Sequence, residues 1–186
     1  MHNIARKILE TYLGEKRIPT IEELGLSRSE HENTKQISFV TLYKNGKVIA
    51  SSGRIHLKKP NTLFELIENT LFCLKDPRFI EAVKIPEDLK DVQIRVDLIN
   101  SERGRRVLKN ISELDIKREG LIFLSQTLSK IGVLLPNITN VASTPEEYLE
   151  IVCQKAGVDM STLRPEDSIL YAIESTVYGD TENSTK

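Results

Sequence analysis

An α+β fold with a mainly antiparallel sheet and flanking helices is what this 186-residue chain predicts, and three observations carry the prediction. Two strand-like runs, Ile37–Tyr43 and Lys47–Ile55, flank Asn45-Gly46, a pair suited to a two-residue hairpin turn because both positions need φ > 0. Residues 92–98 alternate Val92, Ile94, Val96 and Leu98 with Gln93, Arg95 and Asp97. Separate stretches carry apolar residues at helical spacing, and no internal repeat joins them.

In chain order, Ile4, Ala5, Ile8, Leu9, Tyr12 and Leu13 form one apolar stripe of a first helix, which Gly14 ends. Residues 15–36 are polar, are broken by Pro19 and Gly25, and read as a long connection. In the hairpin, an unbroken register sets Ser51 opposite Val40 and Ser52 opposite Phe39. Alternation then sends the two serines to opposite faces, so at most one faces a cleft. Thr62 and Glu65 have capping-box spacing and open a helix with Leu63, Leu66, Ile67, Thr70, Leu71 and Leu74 on one face, stopped by Pro77. The run 92–98 reads as a strand with one buried and one wet face.

Residues 100–120 are charged and turn-rich, and short apolar runs follow at 121–124 and 131–136. Thr144 with Glu147, and Pro145 at the first helical position, start a helix that buries Tyr148, Leu149, Val152, Cys153 and Ala156 and stops at Gly157. The segment 168–179 supplies one late strand. The whole reads as a single domain over 1–182, with room for two lobes, and a frayed tail at 183–186.

Hydrophobic residues at 39% and charged residues at 28% are ordinary globular composition, and a net charge of −1 provides no field that favours nucleic acid or an anionic membrane. The charged N-terminal stretch is no secretory signal, and no apolar run approaches the roughly 20 residues that span a bilayer. A cytoplasmic protein is expected, with Cys73 and Cys153 as buried free thiols.

Recognisable catalytic motifs are scarce. His2, His31 and His56 sit in unrelated contexts, so neither a metal nor another cofactor is expected; His56, at a strand end, is a satisfied polar residue before it is a base. No Gly-rich phosphate loop occurs, and Ser51 and Ser52 lie along a strand rather than on a nucleophile elbow. Arg103, Arg105 and Arg106, with Lys109, form one dense basic cluster. It reads as a solvated loop, with anion or nucleic-acid contact as the alternative; no aromatic residues interleave to stack on bases.

Phe39-Val40-Thr41-Leu42, Asp76-Pro77-Arg78-Phe79, Gly132-Val133-Leu134-Leu135-Pro136 and Cys153-Gln154-Lys155-Ala156-Gly157 occur in an order and spacing that resembles the AMMECR-type domain, named for the chromosomal region of the AMME syndrome, over most of residues 4–179. The family's strand Leu-Arg-Gly-Cys-Ile-Gly is here Val48-Ile49-Ala50-Ser51-Ser52-Gly53, so a serine stands for the cysteine, an isoleucine for the arginine, and only the glycine is kept. If the family's cysteine is a nucleophile, redox centre or ligand, that chemistry is not expected of this chain, since a serine hydroxyl stays protonated without an adjacent base. What survives is slenderness, which leaves room for a close neighbour or a ligand. By this resemblance Ser51, Ser52, Gly53, Asp76 and Arg78 are the ligand or cleft residues, and Memo-type and radical SAM proteins are the implied partners. The expected function is a non-enzymatic binding or accessory module. A carboxylate-dependent enzyme using Asp76 or Asp97 with Arg78, and nucleic-acid binding through 103–109, stand as alternatives.

Overall fold

Asn45 and Gly46 both take positive φ, 52° and 71°, and close a tight turn between antiparallel strands β1 (Ile37–Lys44) and β2 (Lys47–Gly53). The register differs from the unbroken one the turn alone implies. A bulge on β2 between the Leu42↔Ala50 and Tyr43↔Val48 pairs leaves Ile49 without an opposite residue, so Ser51 faces Thr41 and Ser52 faces Val40. The bulge lets Ile49 and Ala50, neighbours in sequence, both be buried. The two serines still alternate across the sheet.

This computed structural model describes residues 1–26, 34–99, 105–138, 141–162 and 165–179. The fold is α+β, with two four-stranded sheets, and the chain divides into two units, Met1–Leu98 with Thr176–Lys186, and Ile99–Ser175. The expected frayed tail at 183–186 lies outside the described residues.

The first unit contains helix α1 (His2–Glu15), which ends one residue beyond Gly14 with Lys16 in the left-handed conformation. It also contains α2 (Thr62–Cys73) and the short α3 (Pro77–Ala82). Asn61, not Thr62, caps α2: its side chain accepts from the Phe64 N–H at 3.1 Å. Thr62 instead bridges to Gln36 and Thr34, and Glu65 turns to the main-chain N–H groups of Lys58 and Lys59. Pro77 does more than end a helix, since it is the first residue of α3 after the Asp76 cap.

Strand β3 (Val92–Ile99) completes the interior of a sheet ordered β2-β1-β3-β8, where β8 is Ser175–Gly179. Ala5, Leu9, Val40, Leu42, Ala50, Leu66, Cys73, Ile94 and Val96 form its core, each large side chain contributing about 1.5–3 kcal/mol by burial. The face of β3 that carries Arg95 and Asp97 is not wet. Asp97 is fully buried and the Arg95 side chain is 14% exposed, a burial made tolerable because the guanidinium grips both carboxylate oxygens at 2.8 Å.

The second unit holds β4 (Arg105–Leu108), β5 (Gly120–Ser125), β6 (Lys130–Leu134) and β7 (Ser168–Ile173) in the order β4-β7-β5-β6. Strand β4 occupies part of the region expected to be a charged loop. Residues 168–179 form two strands in different sheets rather than one, broken at the exposed Glu174. Helix α4 (Pro145–Ala156) opens as predicted: Thr144 accepts from Glu147 N–H at 3.2 Å, Glu147 reaches back to Ser143 N–H, and Gly157 closes the end at φ 66°. It packs on β6 at Gly132, where a Cβ would meet the Val152 carbonyl oxygen at 1.9 Å. Tyr148, Val152 and Cys153 fill the core with Leu121, Phe123, Leu134 and Ala172.

Candidate functional site

Strand β2 is an edge strand, hydrogen-bonded to β1 on one side, and the corner between α2 and α3 packs beside it. That corner brings Ser51, Ser52, Asp76 and Arg78 together. It also adds two residues that the sequence pattern did not assign to the site, Cys73 and Phe39.

Ser51 is exposed, and its hydroxyl lies 3.2 Å from the Thr41 hydroxyl across the strand pair. Ser52 is half-buried on the other face. Gly53 sits opposite Phe39, and a Cβ built on it would stand 2.0 Å from the Phe39 ring. The slenderness expected to leave a recess is therefore used from within, because the ring of Phe39 lies over the glycine. Such cross-strand cover of a glycine by an aromatic ring supports a strand that would otherwise lack side-chain contacts.

Cys73, the last residue of α2, is buried with its sulfur 3.6 Å from the Val40 carbonyl. Burial, with the Asp76 carboxylate adding to it, pushes the thiol up to about 12; the Ser52 main-chain N–H and Arg78 oppose the shift only partly. A thiol held in this way remains protonated and inert near neutrality.

Asp76 accepts the Arg78 main-chain N–H at 3.0 Å, which caps α3, and its two oxygens take the Arg78 Nε at 3.0 Å and NH2 at 2.7 Å. The Arg78 guanidinium, opposed by a smaller burial effect, holds this carboxyl below its ordinary value, and a Ser51 main-chain N–H adds slightly. A general acid or base working near neutrality needs the opposite shift. Asp97, the other carboxylate of the enzymatic alternative, has both oxygens engaged by Arg95 and no exposed surface.

Beyond β2, Arg54 pairs with Glu68 and lies 3.4 Å from Glu65, with its guanidinium 5.3 Å from the centre of the Phe72 ring. Lys75 approaches the same ring at 4.9 Å. Glu65, whose side chain is 1% exposed, accepts from the main chain of Lys58 and Lys59, and so fixes the connection from β2 to α2. His56 lies exposed in that connection.

The two described arginines of the basic cluster do not converge. Arg103 lies outside the described residues. Arg105 and Arg106 are adjacent on β4 and so point to opposite faces. Arg106 is occupied within the chain, with NH2 2.9 Å from Glu119 and 3.0 Å from the Glu113 carbonyl. Among the described residues no group of three or more His, Cys, Asp or Glu is placed to hold a metal ion, and no helix is long and apolar enough to cross a membrane. A hollow does occur, lined by residues of the second unit.

The comparisons with known proteins agree with the motifs. A model of the AMMECR1 family matches residues 2–178. The chain is similar to Protein Mbar_A1807 of Methanosarcina barkeri (strain Fusaro / DSM 804), at 28% identity over 83% of this chain and 76% of that one. It is also similar to the crystal structure of the uncharacterized protein PH0010 from Pyrococcus horikoshii, with a TM-score of 0.68 and 19% identity over 96% of this chain and 88% of that one. At that identity the second likeness is one of fold.

Proposed function

Since the chain belongs to the AMMECR1 family, we propose that it acts in the cytoplasm as a non-enzymatic accessory module that docks a protein partner on the corner of β2, α2 and α3. The observation that carries this reading is a stiff corner with apolar side chains left outside it. Val48 on β2, Phe72 on α2 and Ile80 on α3 are 39%, 40% and 55% exposed, while Asp76 and Arg78, and Glu68 and Arg54, are paired within the chain. Exposed apolar residues scattered singly are ordinary; three on adjoining elements beside an exposed arginine have the composition that recognition surfaces favour. Binding rather than catalysis is supported by the state of the groups present: a thiol held protonated, a carboxylate held ionised by its own arginine, and a serine whose hydroxyl partner is a threonine.

By resemblance to relatives, the partner is a Memo-type or radical SAM protein. The test mixes the purified chain with each such protein from the same organism in a titration calorimeter. Saturable binding is expected, weakened at least about tenfold by Ile80→Glu or Val48→Glu, surface changes that leave the core intact. Binding to neither protein, or affinity indifferent to both changes, would end the reading.

A further inference from the structure

The hollow of the second unit has a different chemistry from the corner. It measures about 330 Å³, within the size range of small-ligand sites. Its wall is aliphatic. Leu108 and Leu170 face each other across β4 and β7, and Leu149 of α4, Ile111 and Met160 complete the lining. With no aromatic face there is no stacking platform for a ring or a base, whereas methionine adapts readily to an aliphatic chain.

The polar lining is made of Lys109, Asn110 and Ser168, with no acidic side chain among them. The Lys109 ammonium makes no hydrogen bond or ion pair with the described residues. Glu113, the acid that approaches Lys109, accepts its main-chain N–H at 3.3 Å and lies 3.6 Å from Arg106 NH1. The Asn110 side-chain oxygen is already occupied by the Ser112 N–H at 3.0 Å and the Ser112 hydroxyl at 3.1 Å, so the polar capacity left on this side chain is its amide N–H donors. Among its described residues the lining thus includes one lysine and one amide donor beside an aliphatic wall. A dianionic phosphate is normally met by several cations or a helix N-terminus; one ammonium with one amide matches a carboxylate.

From this arrangement we propose that the hollow binds a small aliphatic carboxylate, its chain against Leu108, Ile111, Leu149, Met160 and Leu170 and its carboxylate at Lys109 and Asn110. The site is independent of the docking corner. Calorimetric titration of the intact chain with octanoate, octanol and octylamine tests the match of both ends. Octanoate binds saturably, octanol at least about tenfold more weakly for want of the charge-assisted contact, and octylamine not at all. Lys109→Met lowers octanoate affinity to that of octanol, and Met160→Glu abolishes octanoate binding by setting a like charge against it. Both positions are exposed, and thermal melts of the two variants check that they fold. No saturable heat with octanoate, equal binding of octylamine, or an unchanged Lys109→Met variant overturns the proposal.

Discussion

The corner beside β2 and the hollow of the second unit hold similar kinds of side chain in opposite conditions. At the corner, Asp76 has Arg78, Glu68 has Arg54 and Lys59, Ser51 has Thr41, and the space over Gly53 is taken by Phe39. In the hollow, Lys109 borders an aliphatic wall, with no acid among the described lining residues. A polar group whose opposite lies within the same chain holds the fold, and a group without one is available to something else. The residues that look most like a site in the sequence are, by this criterion, largely structural. Their contribution to binding is the stiffness of the surface around them.

Single substitutions separate the two regions. The largest effect is expected at Glu65. Glu65→Ala removes the acceptor of two main-chain N–H groups and a partner of Arg54 from a buried position, and should cost about 3 kcal/mol in urea unfolding. A loss under about 1 kcal/mol would mean that this connection is not held as described. Gly53→Val comes next, at about 2 kcal/mol, because any Cβ there displaces the Phe39 ring, whereas Ser52→Val should cost less than about 1 kcal/mol. Equal melting temperatures for those two variants would contradict the cover of Gly53 by the ring.

Asp76→Ala should cost about 1 kcal/mol through the lost cap of α3. Asp76 also makes stability depend on pH. Its folded pKa lies below the ordinary value, so its contribution is present above the ordinary carboxylate range and is lost as pH falls through the lowered folded value. Asp76→Asn, which keeps an acceptor oxygen, should therefore flatten the acid side of the stability–pH curve. An unaltered curve would show that the Arg78 pairing has little weight in solution.

The smallest change in stability is expected for Ser51→Cys, within about 0.5 kcal/mol, because Ser51 is exposed. It sets a thiol at a solvent-facing position, and that thiol should react with a disulfide reagent in the native state while Cys73, pushed up to about 12, stays silent. The neutral Cys73 thiol supports the fold below the ordinary thiol value, and that support is lost as pH rises through about 12. Rapid native-state labelling of Cys73 would show that the corner opens.

Local chemistry made much of the fold legible in the sequence. Asn45-Gly46, the Thr144 cap with Pro145, and the alternation of 92–98 all act within a few residues, and each marks a real element. Legibility failed where a distant contact decided the outcome. The Ile49 bulge shifts the strand register because Ile49 and Ala50 both find places in the core, which the turn residues cannot report. Alternation tells which residues of β3 share a face, not whether that face is covered; Arg95 and Asp97 are buried because they satisfy each other. The motif at Gly132 acquires its reason only from the Val152 carbonyl packed against it.

The candidate site was legible in part for the same reason. The resemblance named Ser51, Ser52, Asp76 and Arg78, and the helices that carry residues 73–80 pack beside β2. The roles of Cys73 and Phe39 depend on how a helix and a strand face β2. A periodic stripe shows that Cys73 is buried, but not that it lies over Val40 and Ser52. The hollow has no signature in the sequence, because its wall comes from β4, β7, α4 and two short turns, each contributing one or two aliphatic residues.

The most direct measurement is an amide NMR titration of the intact, isotope-labelled chain with octanoate, read in both regions at once. Saturable shifts are expected at 108–111, 149, 160 and 168–170, with 48–54 and 73–80 unmoved. Shifts centred on 48–54 and 73–80, with the hollow silent, would contradict that expectation.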